Sequence, residues 1–291
     1  MFSGSMVAIV TPFTNGSIDQ QALRALVEFH LENGTDAIVP CGTTGESATL
    51  SHAEHDQVVE LVIEAVNGRV PVIAGAGSNN TAEAIRLTRH AKEAGADGVL
   101  LITPYYNKPT QEGLFQHFSA IAGKVEIPMV LYNVPSRTGI DMLPATVARL
   151  AEIPQIVGIK EATGSISRAT AIVNSCGPDF SLISGDDPIF FPLLCVGGKG
   201  VISVTANIVP DLFSSLYDHF TAGNLDAARE LHLRLQKLIQ TMFIETNPIP
   251  VKESLAMMGK VKQELRLPLC PLADSNREVL RSVLKEYELI S

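Results

Sequence analysis

Ile156-Val157-Gly158-Ile159-Lys160-Glu161-Ala162-Thr163-Gly164 joins a short apolar run to a lysine and then directly to a polar turn. An apolar run bounded by turn chemistry reads as a buried strand, here one that ends in a cation. If the run packs inward, Lys160 stands at the mouth of a cavity, where lost hydration favours the neutral amine. A lysine in that state can attack a carbonyl and form a Schiff base. Taken alone, the segment describes a solvated lysine at a strand end equally well, so its surroundings must decide.

Seven more runs of this kind accompany it: Met6–Val10, Ala37–Pro40, Val70–Ala74, Gly98–Thr103, Pro128–Asn133, Phe180–Ser184 and Gly200–Val204. Their starts lie roughly 20 to 35 residues apart, room for a strand, a loop and a returning helix. Between them, Gln20–Glu32, His52–Val66, Ala82–Ala94 and Gln111–Ala122 carry apolar residues at helical spacing. Ser51 with Glu54 and Asn80 with Glu83 read as capping boxes, and Gly34, Gly68 and Gly95 stand where helices would stop. Eight parallel units in succession predict an α/β fold, a closed (β/α)8 TIM barrel rather than an open doubly wound sheet. Gly75-Ala76-Gly77 lacks the third glycine and the acidic partner of a dinucleotide fingerprint, and reads as a tight βα turn. The last part shows helical spacing in Asp211–Ala222, Leu225–Phe243, Ile249–Met258 and Asn276–Leu289, without a strand signal. The expected division is a barrel over residues 1–223 and a helical extension over 224–291, an outer layer suited to subunit contact.

With 291 residues, 46% of them hydrophobic, the chain can bury one sizeable core. A net charge of −9 without a cluster of Lys and Arg argues against nucleic acid and anionic membrane as partners. Any anionic substrate must be held by a few local donors. Cys41, Cys176, Cys195 and Cys270 are too scattered for a zinc or redox motif and suit reduced thiols in a cytoplasmic protein. Nothing at Met1–Met6 resembles a signal peptide, and no run approaches the roughly 20 apolar residues of a membrane span.

A barrel of this type concentrates its chemistry in the loops after its strands. The unusual residues fall there. Gly42-Thr43-Thr44-Gly45-Glu46-Ser47 follows the second run, Pro104-Tyr105-Tyr106-Asn107-Lys108-Pro109 the fourth, and Tyr132-Asn133-Val134-Pro135-Ser136-Arg137-Thr138-Gly139 closes the fifth. Ser184-Gly185-Asp186-Asp187 ends the seventh and Ser203-Val204-Thr205 the eighth. Gly42 and Gly45 let N–H groups converge, and with the Thr43 and Thr44 hydroxyls these can hold a carboxylate. Tyr132 lies one strand from Lys160, so its phenol can relay protons during imine formation, or it can be a barrel aromatic with a wet tip. Arg137 offers a planar fork to a carboxylate from a loop restrained by proline and glycine, although most loop arginines are merely solvated. Tyr105 and Tyr106, being adjacent, must point differently.

These motifs together resemble the dihydrodipicolinate synthase family, pyruvate-dependent class I aldolases of the N-acetylneuraminate lyase superfamily. The likeness runs nearly end to end, from Gly4-Ser5-Met6-Val7-Ala8-Ile9-Val10-Thr11-Pro12 to Arg266-Leu267-Pro268. It is most specific at the threonine loop, the Tyr132–Gly139 loop and Gly158–Gly164, supported by Gly185-Asp186-Asp187, Gly200–Val204 and Asn247-Pro248-Ile249-Pro250-Val251-Lys252. The resemblance implies that Lys160 forms a Schiff base with pyruvate, whose enamine attacks L-aspartate 4-semialdehyde to give 4-hydroxy-tetrahydrodipicolinate. It makes Thr43, Tyr132 and Tyr106 a proton relay, with Tyr106 reaching a neighbouring subunit. Thr44 and backbone near Ile202 then hold pyruvate, with Gly185 also in the substrate site, and Arg137 holds the aldehyde's carboxylate. The imine is its own electron sink, so neither metal nor organic cofactor is called for. A homotetramer built from two tight dimers is likewise implied.

Ser47, Ala48, Leu50, His52, His55, Asn79, Glu83 and Tyr105 match the family's allosteric lysine pocket, so lysine is expected to inhibit. Read without the resemblance, His52 and His55 are two histidines on one exposed helical face and Glu83 is a capping acid. Two rival functions stand beside the main one. Another pyruvate aldolase would act on a sugar acid such as N-acetylneuraminate or 2-keto-3-deoxygluconate. A non-catalytic barrel would only sense lysine or pyruvate.

Overall fold

The computed structural model of the chain describes residues 2–291. Its barrel strands are β1 (Gly4–Ala8), β2 (Ala37–Val39), β3 (Ile73–Gly75), β4 (Gly98–Ile102), β5 (Met129–Asn133), β6 (Ile156–Glu161), β7 (Ser181–Ser184) and β8 (Gly200–Ser203). Each falls on one of the eight expected runs. All pair in parallel, β3 through β8 in chain order, with β1 between β8 and β2. The remaining seam is drawn together by a bridge between Ile38 and Val72 and by the Gly75 N–H, which donates to the Pro40 carbonyl at 2.9 Å. The result is a nearly closed (β/α)8 barrel.

Side chains alternate along each strand, so every strand faces two cores. Met6, Ala8, Val39, Ile73, Leu100, Val130, Tyr132, Ile183 and Ile202 fill the barrel interior. Val7, Ile38, Leu101, Leu131, Ile159, Leu182 and Val201 pack outward against the helices. Because Ile159 belongs to the outer layer, Lys160 after it turns inward. Truncating one of these wholly buried residues to alanine costs about 2–5 kcal/mol, so the strand ends sit on a stiff frame.

Helices Gln20–Glu32, His52–Val66 and Gln111–Ala122 coincide with the expected ones, and the third begins at Thr81 rather than Ala82. The Ser51–Glu54 capping box is complete. The Asn80–Glu83 box is not formed. Asn80 caps alone, accepting from the Ala82 N–H, while its own N–H goes to Ser78 Oγ at 3.0 Å. With that donor engaged, the Glu83 carboxylate turns to the Ser78 hydroxyl and to His52. The Gly75-Ala76-Gly77 turn is held by close backbone approach: a Cβ on Gly75 would lie 2.2 Å from the Cys41 carbonyl oxygen, and one on Gly77 2.4 Å from the Ile102 nitrogen.

A small hairpin, Phe13–Thr14 with Ser17–Ile18, was not among the expected elements. Its Asn15-Gly16 turn, both residues at positive φ, is an ordinary hairpin signal. Beyond the barrel lie helices Leu225–Thr241, Ile249–Met257 and Asp274–Glu286. The extension returns to the strand ends, where Asn247 Nδ2 donates to Thr44 Oγ1 at 3.0 Å and Lys252 Nζ to Glu46 Oε1 at 2.5 Å. Among the described residues no helix is long and apolar enough to cross a membrane.

Candidate active site

Strand register sets the centre of the site. Tyr132 on β5 is paired with Lys160 on β6, and Lys160 with Ile183 on β7. Lys160 is 5% exposed, with its Nζ 4.5 Å from the centroid of the Tyr132 ring. Burial lowers its pKa to about 8, opposed by the charge of Asp187 and aided to a smaller extent by the Arg137 guanidinium. A substantial fraction of the amine is therefore neutral near physiological pH. Gly185 leaves room for the lysine stem, since a Cβ there would lie 3.0 Å from Lys160 Cγ and Cε.

The Tyr132 phenol is held protonated by burial, which raises its pKa, although Arg137 and the Thr43 hydroxyl pull it back. It is thus a proton donor beside the amine. The threonine loop closes on itself: the N–H groups of Gly45, Glu46 and Ser47 donate to Gly42 and Thr43 carbonyls at 3.1, 3.1 and 3.4 Å. Those three donors are engaged in the turn, so what the loop can offer a ligand comes from Thr43 and Thr44. Thr43 and Thr44 supply the hydroxyls. Arg137 Nη2 donates to the Asn247 carbonyl at 3.1 Å, so one residue of the extension anchors both Arg137 and Thr44.

Lys160, Tyr132, Thr43, Thr44, Arg137 and Gly185 line one cavity of about 240 Å³, together with Asp186 and Asn247. One predicted residue stands outside it: Tyr106 is 90% exposed at a φ of +71° and does not line the cavity. At Ile202 the expectation concerned nearby backbone; its side chain packs in the barrel interior, and Val204, two residues on, lines the wall. The sequence reading also passed over Glu161. This buried carboxylate accepts from Arg168 Nε at 3.0 Å, Asn133 Nδ2 at 3.1 Å and the Thr163 N–H at 2.8 Å. Arg168 and Asn133 both continue to Asp141, so the network fixes the loops on either side of Lys160. Nothing about Arg168 as a helical residue signals this.

A second cavity of about 510 Å³ gathers Ser47, Ala48, Leu50, His52, His55, Glu83 and Tyr105. Asn79 is adjacent rather than lining, donating to the Tyr105 carbonyl at 3.1 Å. The two histidines do not share an exposed face. His52 meets Glu83 at 2.8 Å near the surface, whereas His55 is buried, its Nε2 2.8 Å from the Gly75 carbonyl, and burial depresses its basicity. Thr43, Arg137 and Asn247 border both cavities, so one wall separates them.

A nearly closed (β/α)8 barrel with a desolvated lysine beside a buried phenol at the ends of its strands defines the imine-forming aldolase class. The profile of the dihydrodipicolinate synthetase family matches residues 1–287, and the chain belongs to that family. It is 63% identical over 290 residues, all of both chains, to the 4-hydroxy-tetrahydrodipicolinate synthase of Geobacter sulfurreducens. The chloride-inhibited dihydrodipicolinate synthase of Acinetobacter baumannii, solved with pyruvate, superimposes with a TM-score of 0.98 at 50% identity over 100% of both chains. The DHDPS of Cyanidioschyzon merolae with lysine bound gives 0.96 at 42% identity over 99% of each.

Proposed function

We propose that this chain catalyses the Schiff-base-forming condensation of pyruvate with L-aspartate 4-semialdehyde to 4-hydroxy-tetrahydrodipicolinate, in the cytoplasm, as a lyase of diaminopimelate and lysine biosynthesis. The observation that carries the reading is the register pairing of Lys160 with Tyr132 inside a cavity lined by the two threonine hydroxyls and one arginine. The neutral Lys160 amine attacks the keto carbon, and water leaves as the imine forms. Loss of a methyl proton gives an enamine, which attacks the aldehyde carbon. The product's own amine then displaces Lys160 as the ring closes. Tyr132 and Thr43 carry protons for these steps, Thr44 and Gly185 border the pyruvate, and Arg137 takes the carboxylate of the aldehyde. Tyr106, exposed on one chain, completes the relay of a neighbour in a homotetramer.

Borohydride with pyruvate is expected to leave a stable mass adduct that peptide mapping assigns to Lys160. Absence of the adduct in the native enzyme would sink catalysis and favour a sensor. A panel of aldehydes then separates this activity from cleavage of N-acetylneuraminate or 2-keto-3-deoxygluconate. Mixing inactive Tyr106→Phe and Lys160→Ala chains tests the crossing: restored turnover in the mixture supports it. The second cavity suits lysine, whose ammonium meets Glu83 and whose carboxylate meets His52 and the Ser47–Leu50 turn. Under this reading, lysine slows the native enzyme but not Glu83→Ala.

A further inference from the structure

Asp186 and Asp187 follow Gly185 at the end of β7 and differ sharply in what they do. Asp187 is wholly buried, and its Oδ2 accepts from the Val204 and Thr205 N–H groups at 3.2 and 2.8 Å. It fastens the β7 end to the β8 end. Asp186 lines the cavity that contains Lys160 and Arg137. Its backbone is fixed by Ser184 Oγ, which donates to its carbonyl at 2.8 Å and accepts from its N–H at 3.2 Å. Its carboxylate, however, has no hydrogen-bond donor and no cation against it among the described residues. Gly164 leaves it room, since a Cβ there would lie 3.0 Å from Asp186 Oδ2. Burial, and then the charge of Asp187, raise its pKa, the direction expected of an acid lacking a partner. Beside it on the same wall, Asn247 is 6% exposed and its Oδ1 also lacks a donor. The cavity therefore combines a guanidinium with a half-buried carboxylate and an amide oxygen, both without partners.

An α-amino acid end carries opposite charges on one carbon and matches that pair of side chains. We propose that Asp186 receives the ammonium of the aldehyde substrate while Arg137 takes its carboxylate, with Asn247 Oδ1 as a second acceptor. Asp186 is in this way a specificity-determining residue, selecting an amino aldehyde over the same aldehyde without its amine. The inference rests on the cavity being the pyruvate-and-aldehyde site proposed above.

The test compares aspartate semialdehyde with 4-oxobutanoate, which lacks only the amine, in single-turnover carbon–carbon bond formation on the preformed pyruvate adduct, a step that precedes release of Lys160 by the substrate amine, in the native enzyme and in Asp186→Asn. A charge-assisted hydrogen bond implies a native preference of roughly 10- to 100-fold for the amino aldehyde in the apparent second-order rate constant of that step. The variant is expected to lose most of that preference through weaker apparent affinity for the amino aldehyde, while it still forms the borohydride-stable pyruvate adduct. Retention of the native ratio, or equal losses with both aldehydes, overturns the proposal. Asp186→Ser is read in the same way, so the result does not depend on one variant folding. A native enzyme that forms no adduct at all would instead refute the reading of the site, not the role of Asp186 within it.

Discussion

Lys160 at the end of β6 and Lys252 in the helix Ile249–Met257 are 5% and 1% exposed, and burial depresses the basicity of both. Their surroundings differ in one respect. Lys252 Nζ donates to Glu46 Oε1 at 2.5 Å and lies 4.3 Å from the centroid of Phe13, and Glu46 opposes the effect of burial. Lys160 faces a phenol ring, and the acid closest in influence, Asp187, is already engaged by two backbone N–H groups. Burial alone thus does not make a nucleophile; burial without a contacting counter-ion does. Lys252 is a latch that fastens the extension to the threonine loop, and Lys160 is the amine proposed to react.

The largest effect that would break this contrast is on turnover. Lys160→Ala is expected to lower kcat at least roughly 10⁴-fold and abolish the pyruvate adduct, as removal of a covalent nucleophile does. Lys252→Ala should leave an adduct-forming enzyme. Its cost falls on stability, about 3–5 kcal/mol, because Glu46 is left charged and buried without its partner. Denaturant unfolding measures that loss, and the double change Lys252→Met with Glu46→Leu should recover most of it. A Lys252→Ala protein as stable as the native one would mean that the pair is not the latch.

The reverse holds at the active amine, where Lys160→Met should stabilise the fold. The folded pKa of about 8 lies below the roughly 10.4 of an unfolded lysine, so the unfolded chain binds more protons between those values. Below pH about 8 the folded protein carries the full cost of a buried ammonium, and the cost disappears as pH rises toward about 10.4. The methionine variant should gain roughly 3 kcal/mol at pH 7 and progressively less above pH 8. An equal gain at pH 7 and pH 10.5 would show that packing, not charge, explains it.

The sequence made Lys160 legible because its run has a period, a boundary and a cation where an apolar residue is due. Its eight-fold repetition then made the barrel legible, since strand spacing is a local property. Lys252 was harder. Ile249–Leu255 is buried on every side, so its helix lacks the amphipathic pattern that marks an inward face. Glu46 lies 206 positions away in the chain. The same distance hid the link between Asn247 and Thr44, even though both motifs were in view. Glu83 was misread for the opposite reason: a local capping pattern was present, but Ser78, five residues earlier, took the hydrogen bonds first. Tyr106 is 90% exposed on its own chain, so only an assembled neighbour could give it the part in the relay proposed for it.

The finest test concerns what sets the Lys160 amine apart by degree. Only neutral amine attacks pyruvate, so the rate of adduct formation should climb about tenfold per pH unit and level off above pH 8. Burial is the main cause of that midpoint, and the Arg137 guanidinium contributes a smaller push in the same direction. Arg137→Gln removes one positive charge, so charging Lys160 becomes easier and the midpoint should move to higher pH. Lys252 points to the limit of that trend, since there a contacting carboxylate opposes the effect of burial on the amine. Adduct formation reads only the first half-reaction, which separates this effect from loss of the aldehyde's carboxylate partner. A midpoint that stays fixed, or moves to lower pH, would show that Arg137 does not act on Lys160 through its charge.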